Sequence, residues 1–232
     1  QVIFPLFDGT RTLADVVTQI GRGLTAEFLQ QLVAQLDDAW LLEGPRFDVL
    51  LKKVREDFDA SDNLPPASSA AFMDALLGAQ ATEAQRLEQG PTKIREVFDQ
   101  WMAKSLEKAD KPSFDHLPKA IVAPHLDYAR GWLNYANVWG RLRVCDRPDR
   151  VVILGTNHFG MGTGVVGCDK GFTTPLGVCE VDKGMRDELR AILGDKLFAN
   201  RFDHENEHSI ELQVPWIQHV FGEQNGAYPT VF

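Results

Sequence analysis

Cysteine is scarce in this chain: Cys145, Cys168 and Cys179 are odd in number and show no C-x-x-C spacing. That excludes a disulfide framework and an ordinary zinc knuckle, and it points to a reducing, cytoplasmic compartment. Long apolar runs are missing too. None approaches the roughly 18 residues of a membrane helix, and the start lacks the basic and apolar regions of a signal peptide, so no membrane partner is expected. Positive charge is in deficit, with 24 Lys and Arg against 33 Asp and Glu and a formal net charge of −9. Phosphate neutralisation needs the opposite balance, so nucleic acid is excluded as a partner. What remains is a globular make-up, 44% apolar and 25% charged, with 19 Gly and 12 Pro among 232 residues. The chain opens at Gln1 without a Met and closes on YPTVF, which reads as mid-strand. We therefore expect a cut at one or both ends.

The first 60 residues read as a helical module. Thr12 with Asp15 predicts a helix start, and Leu13, Val16, Val17 and Ile20 give that helix one apolar face. Thr25 opens a second helix, along which Phe28, Leu29, Leu32, Val33 and Leu36 recur at threes and fours. Trp40-Leu41-Leu42-Glu43 before Gly44-Pro45 suggests a short strand and turn. Two helices closed by an apolar strand describe a winged helix, and DGTRTLADVV with LDDAWLLEG resembles PqqD-like peptide-recognition domains. DNA is not the expected occupant, because residues 25–38 contain no Lys or Arg. Residues 47–60 continue as a charged amphipathic helix. Residues 61–117 then read as a linker, DNLPPASS, followed by helices over 70–89 and 94–108 separated by Gly90-Pro91.

From Lys119 the pattern becomes α/β, and residues 118–232 form the second expected domain. AIVAP (120–124) and VVILGT (151–156) are apolar runs of the kind buried in parallel sheets, with a helical stretch over 131–142 between them. A helix follows over 185–193, another over 210–221 interrupted by Pro215, and YPTVF is the next strand. The expected architecture is a parallel or mixed sheet flanked by helices.

His125 follows the first of these strands and His158 the second. In an open parallel sheet, ligands bind at the carboxyl ends of the strands, so the two imidazoles can converge on one site. Asp127, two residues beyond His125, is either a third ligand, a carboxylate orienting an imidazole, or the cap of the following helix. His204-Glu205-Asn206-Glu207-His208 formally matches the H-x-x-E-H zinc-protease pattern, yet Asn206 and Ser209 suit a helix start better than the continuous helix that pattern needs. Gly162-x-Gly164-x-x-Gly167 runs into further Gly, Thr and Pro, which makes it a loop and no dinucleotide fingerprint.

The motifs IVAPHLDYARG, VVILGTNHFG, FTTPLGVCEVD and ENEHSIELQVPW, in this order, resemble the Memo family, the B component of AmmeMemoRadiSam systems. The similarity covers residues 119–232. It implies an α/β fold like that of class III extradiol dioxygenases, which are non-haem iron enzymes. It also implies metal-ligand positions at His125 and His158, and a place for Glu207 and His208 in an E-H-S-x-E motif beside the same cleft. Iron is the implied metal, with copper second. The family's word P-H-A-G-Y here carries Leu126-Asp127 in place of Ala-Gly.

The reading that follows is a metal-binding, dioxygenase-like oxidoreductase with His125 and His158 as ligands. His208, Glu207 and Asp127 are its candidate catalytic groups, with His208 as acid or base. A facial triad needs an anionic third ligand, for which Asp127 or Glu207 is available within these residues. A non-catalytic peptide- or partner-binding protein on the same scaffold, with the N-terminal module recruiting the partner, is the alternative, and zinc-dependent hydrolysis at the same histidines is a third.

Overall fold

The computed structural model describes residues 2–232, which divide into two compact units at Ala60/Ser61. In the first, α1 (Leu13–Ile20), α2 (Ala26–Asp38) and α3 (Pro45–Ala60) follow one another. Thr12 and Asp15 close a reciprocal capping box on α1, and the Thr25 hydroxyl accepts from the Phe28 amide at the start of α2. Val16, Leu29 and Phe58 are buried. The strand expected at Trp40–Glu43 does not form: Trp40 sits at φ 56°, where it turns the chain out of α2. The wing of a winged helix is thus not seen among the described residues.

The second unit opens with β1 (Asn63–Leu64), α4 (Ser68–Leu77) and α5 (Glu83–Leu106). The stretch read as a linker is therefore ordered, since β1 pairs in parallel with β3 (Gly171–Thr174). The expected break at Gly90-Pro91 lies elsewhere as well. Gly78, at φ 92°, ends α4, and the Thr82–Gln85 capping box restarts the chain as α5, which runs unbroken through Pro91. Gly90 is there for contact: a Cβ would lie 2.2 Å from the Met73 sulfur where α4 crosses. Next comes α6 (Tyr128–Gly140), packed along α5, with Gly140 admitting Leu106 and Met102.

The remaining elements are β2 (Arg150–Val151), β4 (Gly177–Cys179), α7 (Lys183–Leu193), α8 (His208–Glu211), α9 (Val214–Phe221) and β5 (Thr230–Val231). The interruption expected at Pro215 falls just before it, between α8 and α9, and Pro215 stands in the first turn of α9, where its missing N–H costs nothing. The core joins α5, α6 and α9 through aromatic rings. Phe98 stacks on Trp216 with centroids 3.9 Å apart, Tyr135 stacks on the same indole at 5.9 Å, and Tyr128 meets Phe98 edge-on.

The fold is α/β, with helices predominating over two small sheets. One has the order β1-β3-β4, parallel then antiparallel; the other pairs β2 with β5 in parallel. The two sequence runs expected as neighbouring strands do not pair with each other. Residues 120–124 form no strand, and of 151–156 only Val151 lies within one.

Asp182 caps α7 through the Met185 amide at 2.8 Å and also accepts from the Thr230 hydroxyl and Arg150 Nε, both at 2.9 Å. The Met185 amide bond leads in holding its pKa below the ordinary 3.8, against the opposing effect of burial. A depressed carboxylate pKa stabilises the fold above the unfolded value and loses that contribution as pH falls through the folded one. Asp182→Ala should therefore cost about 1–2 kcal/mol at pH 7 in urea unfolding, and clearly less when unfolding is repeated below pH 3.

Candidate functional site

Three imidazoles meet at one end of the second unit. The ring centroids of His125 and His158 are 5.1 Å apart, those of His125 and His208 5.8 Å, and those of His158 and His208 4.7 Å. Each arrives by a different route. Pro124, just before His125, has its carbonyl held by Gln213 Nε2 at 2.8 Å, and Gln213 is itself held by the Trp139 indole N–H. Beyond His125, the Tyr135 hydroxyl donates to the Leu126 carbonyl at 3.0 Å.

His158 lies on a loop that is pinned from two sides. The Ser209 hydroxyl accepts from the Thr156 amide and donates to the Thr156 carbonyl, and a Cβ on Gly155 would collide with Ser209 and Ile210 at 2.5 Å. On the far side Asp203 accepts from Asn157 Nδ2 and from the amides of Met161 and Gly162. His208 is the first residue of α8, whose N-cap is Glu207.

Glu207 organises the cluster. Its carboxylate accepts from the His158 amide at 2.8 Å and the Ser209 amide at 2.8 Å, lies 3.0 and 3.2 Å from His158 Nδ1, and stands 3.5 Å from His208 Nδ1. Burial pushes its pKa up, but the two amides and the side-chain bonds from His158 and Ser209 outweigh it and bring the value from 4.5 to about 2. An ionised carboxylate only accepts, so the His158 nitrogen facing it carries a proton, and Nε2 is the nitrogen turned away from Glu207. The carboxylate is 6% exposed, whereas the His158 and His208 side chains are 30% and 32% exposed, so the rings are accessible and their anchor is not.

The donor chemistry fits a transition metal. His158, Glu207 and His208 each offer a ligand atom within 4.8 Å of the others. An imidazole bound at about 2.1 Å has its centroid about 3.2 Å from the ion, so two such rings stand about 4.5 Å apart at a right angle and about 5.2 Å apart at a tetrahedral angle. Two of the observed spacings, 4.7 and 5.1 Å, fall between these values, and the third, His125 to His208 at 5.8 Å, lies beyond them.

The other sequence candidates lie apart from the cluster. Asp127 is the N-cap of α6, accepting from the Arg130 amide at 3.0 Å and paired with the Arg130 guanidinium. His204 ends a 3-10 turn with Nε2 3.1 Å from the Val166 carbonyl, and it shares no helix with His208. The H-x-x-E-H pattern is thus a coincidence of spacing. Residues 162–167 form no helix. Sequence reasoning missed Gln213, Ser209 and Asp203, which position the histidines; Ser209 and Gln213 stand in the same ENEHSIELQVPW word as Glu207 and His208, which was the available signal.

Comparison with known proteins identifies the family. The pattern of the Memo-like protein family matches residues 85–227, beginning well upstream of the motif region, inside α5. A MEMO1 family protein of Methanopyrus kandleri is 34% identical over 140 residues, 57% of this chain and 48% of its own length. One from Desulfurococcus amylolyticus is 32% identical over 149 residues, 61% and 51% of the two chains. One from Aquifex aeolicus is 25% identical over 225 residues, 95% of this chain and 54% of its own, so that likeness extends into the N-terminal helices. The chain spans about half the length of the curated relatives it matches. With more than half of its residues inside the family pattern, the chain belongs to the Memo-like protein family.

Proposed function

We propose that the second unit is a transition-metal site of the non-haem type, with iron as its metal and copper next, and that the protein is a dioxygenase-like oxidoreductase. The observation that carries this is the convergence of three imidazoles with centroids 4.7–5.8 Å apart over one buried, ionised carboxylate. His125, His158 and His208 hold the ion; His208 thereby takes a ligand's place in preference to the acid–base role its motif suggested. Glu207 fixes the tautomer and orientation of His158 and steadies His208, as carboxylates behind metal-bound histidines do. Asp127 contributes the α6 cap and no ligand.

An ion of this kind supplies open coordination positions for oxygen and substrate together. The chain's own part is positional. Glu207 holds a proton of His158 on Nδ1 and so turns Nε2 away from itself, Gln213 and Tyr135 fix the backbone on either side of His125, and Ser209 with Asp203 hold the His158 loop. Phe159 and Met161, beside His158 on that loop, are 75% and 87% exposed and give the mouth an apolar rim suited to an aromatic substrate such as a catechol.

The test is anaerobic titration with Fe2+ and, separately, with Co2+ as a spectroscopic substitute. One equivalent bound, with ligand-field bands of a low-coordinate Co2+ site, is expected; no saturable binding refutes the reading. Oxygen uptake with catechols by the iron-loaded chain then tests the reaction. A site that binds metal but consumes no oxygen with any catechol favours the partner-binding alternative.

A further inference from the structure

Trp216 is fully buried, and its indole N–H has no hydrogen-bond partner among the described residues. A buried donor left unmade costs about 1–3 kcal/mol, and a phenyl ring at the same place would avoid that cost. The neighbours show what an indole adds. Trp216 stacks on Tyr135 at 5.9 Å with the planes 7° apart, and the Tyr135 hydroxyl donates to the carbonyl of Leu126, the residue after His125. It also stacks on Phe98, at 3.9 Å and 2°. Phe98 in turn lies 5.8 Å from Trp101, and Trp101 lies 6.0 Å from Trp132. Tyr135, Trp216 and Phe98 are buried while Trp101 and Trp132 are half-buried, so this row of rings begins behind the histidine cluster and ends at solvent.

An indole gives up an electron without having to lose a proton at the same moment, whereas a phenol needs a base for its proton. Neither is trapped in the interior here. Tyr135 and Tyr128 donate to amide carbonyls, which are not bases, and Trp216 faces no acceptor at all. An electron deficiency on these rings therefore moves on until it meets water. At Trp132 the Lys104 ammonium, 5.2 Å over the ring, disfavours a radical cation and favours release of the indole proton. We propose that Trp216, Trp101 and Trp132, bridged by Tyr135 and Phe98, form an electron relay through which a soluble reductant of the ascorbate class quenches peroxide at the histidine cluster before the cluster is itself oxidised. The inference rests on the redox-metal reading of that cluster. Each electron leaves Trp132 for Trp101 and passes by way of Trp216 to the site, and the Trp132 indole proton goes to water. Ascorbate monoanion returns a hydrogen atom to the neutral Trp132 radical and becomes its own radical anion. Two such transfers, with the two released protons taken up at the site, reduce one hydrogen peroxide to two water molecules.

The relay is tested without metal by attaching a ruthenium photo-oxidant to the Phe159→Cys, Cys145→Ser chain, beside His158, and oxidising it by flash in the presence of an electron-accepting quencher. Transient absorption should show a neutral indole radical that ascorbate removes, and this radical should be lost in the Trp101→Phe, Trp132→Phe double variant. No such radical in the parent, or an equal yield in the double variant, overturns the proposal. A second experiment needs no variant. When the iron-loaded chain is treated with hydrogen peroxide, peptide mass spectrometry should find added oxygen first on Trp132 or Trp101, in a metal-dependent manner, with His158 and Met161 spared and with ascorbate preventing it. Oxygen gathering at His158 and Met161 while both indoles stay intact overturns it as well. Absence of saturable iron binding, by contrast, removes the metal reading, and the flash experiment still decides the relay.

Discussion

Replacing His158 with Ala is expected to lower affinity for Co2+ or Fe2+ by more than about a hundredfold, and His125→Ala or His208→Ala by a comparable factor. Each change removes one of three donors, and an ion left with two imidazoles on an open surface competes poorly with water. Glu207 separates two descriptions of the site. If its carboxylate stands behind the rings, Glu207→Gln keeps an oxygen to accept from His158 Nδ1 and the loss is about 10- to 100-fold. If it is a ligand, the lost charge makes Glu207→Gln as damaging as a histidine deletion. Asp127→Asn, at a cap and outside the cluster, should change affinity less than about threefold while leaving α6 capped. Competition titrations against a chelating dye on all five variants, with circular dichroism to confirm folding, give the answer. Equal affinity in the parent and His158→Ala would remove the metal assignment altogether.

Local signals in the sequence led to local structure. Thr12–Asp15 and Thr25 start their helices because a side-chain cap needs only neighbours a few residues away. The convergence of His125 and His158 also followed from sequence, since both end apolar extended runs and such ends share one edge of an α/β fold. What failed was whatever depended on distant partners. AIVAP and VVILGT have strand composition, but a strand is defined by a hydrogen-bonded neighbour and residues 119–123 have none here. Gly90-Pro91 looked like a break because its tolerance rests on Met73 packing into the space above Gly90, which only α4 provides. Asp127 was open between ligand and cap until the Arg130 amide and guanidinium claimed it. The approach of His208 to the other two rings is a property of the α8 start, invisible in spacing alone.

The same limit hid Glu211, where the largest stability effect is expected. Glu211 is 4% exposed, and its carboxylate accepts from the amides of Ala67, Ser68 and Ser69 at 2.9–3.0 Å and from the Ser69 hydroxyl at 2.6 Å. Those amides are the first turn of α4, whose own N-cap residue, Ala67, has no side chain to serve them. An anion at a helix N-terminus satisfies the orphan donors and the helix dipole at once, and here it comes from more than 140 residues along the chain. Glu211→Ala leaves one buried and two part-buried N–H groups without acceptors and should cost about 3 kcal/mol in urea unfolding of the second unit. Ser69→Ala removes one bond of four and should cost about 1 kcal/mol. A Glu211→Ala loss no larger than that of Ser69→Ala would mean that water replaces the carboxylate and that the pin is incidental. Because Glu211 and His208 are the two ends of the single turn α8, releasing Glu211 also frees His208. Metal affinity should therefore fall in Glu211→Ala even under conditions where the chain remains folded, and stay near the parent value in Ser69→Ala.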